Sequence, residues 1–289
     1  MKLLYFVILL VAVSTVAGHN YTVAPILVLH GVNDNCDFGI VDSVARHFNT
    51  FADCDPIGGG EAKLASIFYS IHHQGKLLCN WLHEQENFKY GNFSILGISQ
   101  GSILTKYVLE YCPFDQPIRS IVTFGGPHMG VSAVPTFPRE DWIGWLMCLV
   151  VDRVIYWSIA QYLIAPADYF RIPYDPEGFM KHSRFLRDAN NEANFNQTRK
   201  DMWLGLKFAR FVKWDEDGVI IPRESSWWGM YDIDMNILSR FDTEVYQKDL
   251  IGIRTLEEEG RADFISIPGD HMHFSHEQIN RIVSPVFTR

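Results

Sequence analysis

The chain has 289 residues, 47% of them hydrophobic and 20% charged, which suits one large α/β domain or two smaller ones and excludes general disorder. Its formal net charge of −9 argues against a nucleic-acid binder. Protonation of its 11 histidines would offset that charge, so an acidic compartment need not impose strong self-repulsion on the fold.

The N-terminus reads as a secretory signal over residues 1–18. Lys2 is the positive start, Leu3 to Val13 the apolar run, and Thr15-Val16-Ala17-Gly18 the small-residue cleavage region. The run falls short of the roughly 20 residues a membrane span needs; a buried first helix is the alternative. Export makes disulfides the default for Cys36, Cys54, Cys79, Cys112 and Cys148, with one cysteine left over. No C-x-x-C pair is present, which speaks against a cysteine zinc site. Sequons start at Asn20, Asn92 and Asn196, and Asn196, in a polar stretch, is the best glycan candidate.

Pro25 to Leu29 is the first expected strand, followed by a helix from Asp42 to Phe51. Gly58-Gly59-Gly60 is a loop without the following Lys-Ser/Thr of a phosphate loop. Apolar spacings of three and four predict a helix over Leu64 to Leu82. Asn92 to Leu96 reads as a buried strand, Ser102 to Leu109 as a helix and Ile118 to Phe124 as another strand. A long insertion follows. Its stretch from Trp142 to Ala165 is unusually apolar, with Trp142, Trp145, Leu149 and Trp157 prominent, and Asp152 and Arg153 argue against a transmembrane helix there. An apolar lid or groove wall and ordinary core helices both fit, because periodicity does not separate a wall from a core. Ala209 to Trp214 and Asp263 to Ile267 are the later strands. The alternation of strands and helices favours a mainly parallel sheet.

Gly97-Ile98-Ser99-Gln100-Gly101 is a G-x-S-x-G string between a strand and a helix, the context of a nucleophile elbow in an α/β-hydrolase fold. A serine hydroxyl needs a base, and the base an orienting acid; in this fold the order is Ser, then Asp or Glu, then His. Asp215, Glu216 and Asp217 follow one strand, with Asp217 at the turn before Gly218. His271, His273 and His276 follow another. The S-x-x-Q spacing of Ser275 and Gln278 predicts a helix start that would carry His276, leaving His271 on the loop. An H-x-H-x-x-H metal site is the weaker reading, because no acidic ligand set accompanies it. For the oxyanion hole the candidates are the backbone amides of Val32, in Leu29-His30-Gly31-Val32, and Gln100. His30 reads as a packing residue.

Together these segments resemble the palmitoyl-protein thioesterase family. The likeness runs through Leu29-His30-Gly31-Val32-Asn33-Asp34, the elbow with Gln100, Tyr111-Cys112-Pro113 and Phe124-Gly125-Gly126-Pro127-His128-Met129-Gly130-Val131. It continues through Asp217-Gly218-Val219-Ile220-Ile221-Pro222, Ser226-Trp227-Trp228-Gly229-Met230-Tyr231 and Gly269-Asp270-His271. The resemblance implies Ser99 as nucleophile, Asp217 as orienting acid and His271 as base. It implies a fatty-chain groove formed by the insertion, about residues 131–208, for which Trp142, Trp145, Leu149 and Trp157 are the candidates. Cys79 and Cys112 match a family disulfide. Cys36 matches one member of an adjacent cysteine pair whose second position is Asp37 here, which leaves a Cys36–Cys54 bridge open; Cys148 lacks its family partner.

The expectation is an α/β-hydrolase with a helical lid insertion, acting as a serine thioesterase on S-acylated proteins, peptides or other acyl thioesters. It needs no cofactor and no metal, binds no nucleic acid, and makes at most transient contact with lipid or a membrane surface. Its compartment is the secretory pathway, lysosomal by family likeness. The rival readings are a lumenal lipase, an esterase or acyl-CoA thioesterase of different acyl preference, and a hydrolase fold that only binds lipid or protein.

Overall fold

The computed structural model describes residues 23–37, 39–55, 57–133, 151 and 153–289. The expected signal segment, Asn20, Trp142, Trp145, Cys148 and Leu149 lie outside them.

Among the described residues, six parallel strands form the central sheet: β1 (Ile26–Leu29), β2 (Ala52–Asp53), β3 (Ser94–Ile98), β4 (Ser120–Phe124), β5 (Phe208–Trp214) and β8 (Ala262–Ile267), in the order β2-β1-β3-β4-β5-β8. A short antiparallel pair, β6 (Met230–Tyr231) and β7 (Ile237–Leu238), lies apart. Side chains alternate across the strands. Leu27, Leu29, Ile95, Ile121 and Phe211 pack on one side of the sheet; Ile26, Val28, Leu96, Val122 and Val212 pack on the other. Burial on both faces explains why the central strands read as continuous apolar runs.

The second face is covered by α1 (Ile40–Phe48) through Ile40, Val44 and Phe48, and by the C-terminal α12 (His276–Phe287) through Ile279, Val283 and Val286. The expected capping signal is realised: Ser275 caps α12 and its hydroxyl accepts from the Gln278 amide at 3.1 Å. The first face carries α3 (Ile71–Glu84) and α4 (Gln100–Tyr111), and α2 (Ala62–Phe68) precedes α3. The single helix expected over Leu64 to Leu82 is therefore two. Tyr69 is extended, with φ −100° and ψ 127°, and Ser70 restarts the chain as the N-cap of α3. Strand β2 was not foreseen, since its two residues carry no periodic signal.

Between β4 and β5 the described residues include short helices α5 (Ser158–Leu163), α6 (Ala165–Asp168), α7 (Pro176–His182), α8 (Leu186–Ala189) and α9 (Gln197–Leu204). Val131 pairs with Phe170 as an isolated bridge, which folds this segment back over the carboxyl edge of the sheet. After β5 come α10 (Glu244–Gln247) and α11 (Ile253–Glu258). The chain moves from β1 outward to β2 and returns on the other side of β1 to form β3. That reversal is the switch point beside which open α/β sheets bind ligands.

Candidate active site

Ser99 follows β3 at this switch point. Its backbone has φ 53° and ψ −123°, a sparsely populated conformation for a residue with a side chain. The Ser99 amide donates to the Phe124 carbonyl at 2.8 Å and the Ser102 amide donates to the Ser99 carbonyl at 2.9 Å, so β4 and the first turn of α4 hold the kink. The flanking glycines are required by close approach. A Cβ at Gly101 would stand 2.1 Å from the Leu29 carbonyl oxygen, and one at Gly97 2.4 Å from Thr105 Oγ1.

Asp217 and His271 come from the loops after β5 and β8. His271 Nε2 lies 3.0 Å from Ser99 Oγ, and His271 Nδ1 lies 2.9 Å from Asp217 Oδ2. The other Asp217 oxygen accepts from the Val219 and Ile220 amides at 2.9 and 2.8 Å, which fixes the carboxylate plane. Ser99 and Asp217 are only 6% and 7% exposed, so little water competes for these bonds. The alternatives fall elsewhere. Asp215 and Glu216 are exposed, His273 packs over Gly269, and His276 starts α12 beside Gly39. Gly125 makes room for the imidazole; a Cβ there would stand 2.9 Å from His271 Cε1. The Trp214 ring contacts the imidazole edge-on at 5.1 Å.

Asp270 belongs to a quoted motif, yet its part was not foreseen. One of its oxygens accepts from the Gly218 and His271 amides at 2.9 and 2.6 Å, tying the acid loop to the base loop. Those two bonds hold the exposed Asp270 carboxyl below the usual carboxylate range.

The loop after β1 abuts the serine. A Cβ on Gly31 would lie 3.2 Å from Ser99 Cβ, and Val32 lines the same cavity as Ser99. His30 is buried, its Nδ1 is 2.9 Å from the Gly31 carbonyl, and burial lowers its pKa. The Gln100 side chain is enclosed: its Nε2 donates to the Ser66 carbonyl at 2.8 Å and its Oε1 accepts from the Tyr169 hydroxyl at 2.9 Å.

From Ser99 a cavity of ≈ 330 Å³ runs under the insertion. Its walls are almost wholly apolar, among them Val131, Val154, Ile155, Ala160, Phe170 and Ile220. Trp157 departs from the expectation. It is 59% exposed and borders a separate polar cleft with Arg153 and Lys181, because Ala160 and Ile164, not Trp157, turn toward the cavity.

The profile of the palmitoyl protein thioesterase family matches residues 25–271. The chain belongs to the palmitoyl-protein thioesterase family. It is 31% identical over an alignment of 302 residues to palmitoyl-protein thioesterase 1 of Caenorhabditis elegans, covering 98% of this chain and 99% of that one. It is 24% identical to the lysosomal thioesterase PPT2 homolog of Drosophila melanogaster, over 96% of each chain. Palmitoyl-protein thioesterase 3 of Dictyostelium discoideum is 24% identical over 73% of this chain and 72% of that one.

The segments that carry the likeness to palmitoyl-protein thioesterases pack on one another. Trp228 stacks on His128 with ring centres 4.8 Å apart, Ser225 Oγ accepts from the Met129 amide at 3.0 Å, and Trp227 Nε1 donates to the carbonyls of Phe211 and Ile265. The loop bearing Asp217 is thereby anchored to the loop after β4. Cys79 and Cys112 form a disulfide that joins α3 to the end of α4, and Cys36 and Cys54 form a second that holds the loop after β1 to β2. The bridge left open by the sequence is thus made. Asn196 is exposed and caps α9, its side chain accepting from the Arg199 amide. Asn92 is exposed as well.

Proposed function

We propose that this chain is a serine thioesterase that removes long-chain fatty acyl groups from the cysteines of S-acylated proteins or peptides. Ser99 Oγ attacks the thioester carbonyl carbon as His271 Nε2 takes its proton, while Asp217 holds the imidazole tautomer and stabilises the imidazolium. The Val32 and Gln100 amides receive the oxyanion. The carbon–sulfur bond breaks and His271 returns the proton to the departing thiolate. Water, deprotonated by His271, then attacks the acyl-serine, and the fatty acid leaves as Ser99 regains its proton.

The observation that carries this reading is the apolar cavity that begins at Ser99. A buried methylene contributes about 0.8 kcal/mol, so such walls select a long hydrocarbon tail over a polar acyl group. Within the expected insertion, about residues 131–208, the described residues Val131, Val154, Ile155, Ala160 and Phe170 supply this wall. The outward face of α5 exposes Ile159, Tyr162 and Leu163, which suits transient contact with lipid as an acyl chain enters. Two disulfides, the signal-like N-terminus and an exposed Asn196 sequon suit a secretory route, and relatives named lysosomal thioesterases favour the lysosome.

Ser99→Ala, assayed on a palmitoyl-thioester peptide and on the matching oxygen ester, tests the proposal. Turnover of the thioester should fall about 10⁶-fold, the loss typical of a removed serine nucleophile. Retained turnover would reject Ser99, and a strong preference of the unaltered enzyme for the oxygen ester would favour a lipase or esterase.

A further inference from the structure

We infer that Ser66 is a positioning residue that fixes the two oxyanion donors relative to each other, an inference that rests on the assignment of the Val32 and Gln100 amides to that role. Ser66 is fully buried on α2 and is not among the residues lining the cavity. Its hydroxyl accepts from the Asn33 amide at 2.8 Å and donates to the Lys63 carbonyl at 2.7 Å. Its carbonyl accepts from Gln100 Nε2 at 2.8 Å and from Gln74 Nε2 at 3.3 Å. One residue is thus bonded to the peptide unit next to Val32 and to the side chain of Gln100.

The local structure explains how Ser66 can serve both. Because α2 stops at Phe68, the Ser66 carbonyl lies in its last turn, where carbonyls lack intrahelical partners and are open to side chains. Alanine has the higher helix propensity, and a serine that bonds back to its own helix slightly weakens it, so helix formation does not account for this residue. The two donors lie after different strands, Val32 in the loop after β1 and Gln100 at the start of α4 after β3. A tetrahedral oxygen requires both at about 2.7–3.1 Å at once, which demands a fixed distance between them. Ser66 supplies it without touching substrate. The Tyr169 hydroxyl donates to Gln100 Oε1 at 2.9 Å and completes the clamp, and Tyr169 also lines the cavity.

Ser66→Ala removes the hydroxyl bond and keeps the carbonyl; Ser66→Cys is close in size but offers a poor sulfur acceptor. Each variant is assayed for kcat and KM on a palmitoyl-thioester, for affinity toward a long-chain trifluoromethyl ketone, which forms a tetrahedral alkoxide on a serine, and for Tm. Both should lose about tenfold or more in kcat while KM stays within about twofold, with ketone affinity falling in step. A structural role alone would move Tm and leave kcat and ketone affinity at low temperature unchanged. That result in a folded variant would overturn the inference while leaving the Ser99 mechanism standing. If Ser66→Ala does not fold, Ser66→Cys decides. Retained turnover by Ser99→Ala would instead remove the assignment on which the inference rests.

Discussion

Ser99 adopts a backbone conformation that costs a non-glycine residue about 1–3 kcal/mol, and the surrounding bonds from β4 and α4 maintain it. The strain has a geometric result: the hydroxyl projects beyond the sheet edge toward His271. In the proposed mechanism Asp217 acts through His271, since its carboxylate accepts one imidazole hydrogen and two backbone amides. Asp217→Asn should retain the fold, yet lower kcat about 10⁴-fold by favouring the wrong imidazole tautomer, as checked by turnover of a palmitoyl-thioester beside the thermal melt. Ser99 was legible from the G-x-S-x-G string, while the strand-end order Ser, acid, His narrowed the acid to Asp215, Glu216 or Asp217 and the base to His271, His273 or His276, and the family resemblance singled out Asp217 and His271. Ser66, Gln74 and Tyr169 were not. They bear no motif, and their meeting with Gln100 depends on tertiary placement.

Among the elements, α4 joins the site to the insertion. Lys106 and Glu110, one turn apart on this helix, are buried. Lys106 Nζ donates to the His128 carbonyl and to Asn190 Oδ1 and lies 4.4 Å above the Trp228 ring. Glu110 accepts from Trp203 Nε1 at 2.8 Å and pairs with Arg199 at 3.0 Å. Burial pushes the Lys106 pKa down and the Glu110 pKa up, and each charge partly restores the other. Lys106→Ala takes a donor from Asn190 Oδ1 and from the His128 carbonyl and removes the positive charge that favours Glu110 ionisation. Denaturant unfolding near pH 6 should show a loss of about 3–5 kcal/mol, whereas a change within about 0.5 kcal/mol would mean that the cluster contributes little. A helix was legible over Ser102 to Leu109, but these buried charges were not, because their partners lie just after α8, on α9 and on the loop after β4. The break between α2 and α3 was missed for a related reason: the spacing continues through Tyr69 and Ser70 while the backbone does not.

At the scale of the whole molecule, two disulfides close loops of 18 and 33 residues and together brace the elbow helix and the loop after β1. In the chain-entropy view each contributes about 3–4 kcal/mol through the unfolded state. Acidity should also act on the fold. Burial, then the nearby Asp53 charge, raises the pKa of Asp55 from 3.8 to about 6. Below 3.8 the group is protonated in both folded and unfolded chains. Between 3.8 and about 6 the unfolded chain ionises first, so the contribution of Asp55 to stability declines as pH rises. Urea midpoints from pH 4 to 7 should therefore show the unaltered chain losing stability relative to Asp55→Asn as pH increases; parallel curves would contradict this. The mainly parallel sheet was legible from its alternating strands and helices. The apolar cavity wall was legible as composition but not as a set of residues, since Trp157 is exposed and Val154, Ile155 and Ala160 line the space.

The most direct test of a serine relay opening into a hydrocarbon cavity is kcat/KM for a series of acyl thioesters differing only in chain length, with Ser99→Ala as control. The expected result is a rise of about fourfold for each added methylene until the cavity is filled, with no measurable turnover by the variant. A flat or falling series, or one that persists after Ser99 is replaced, would contradict it.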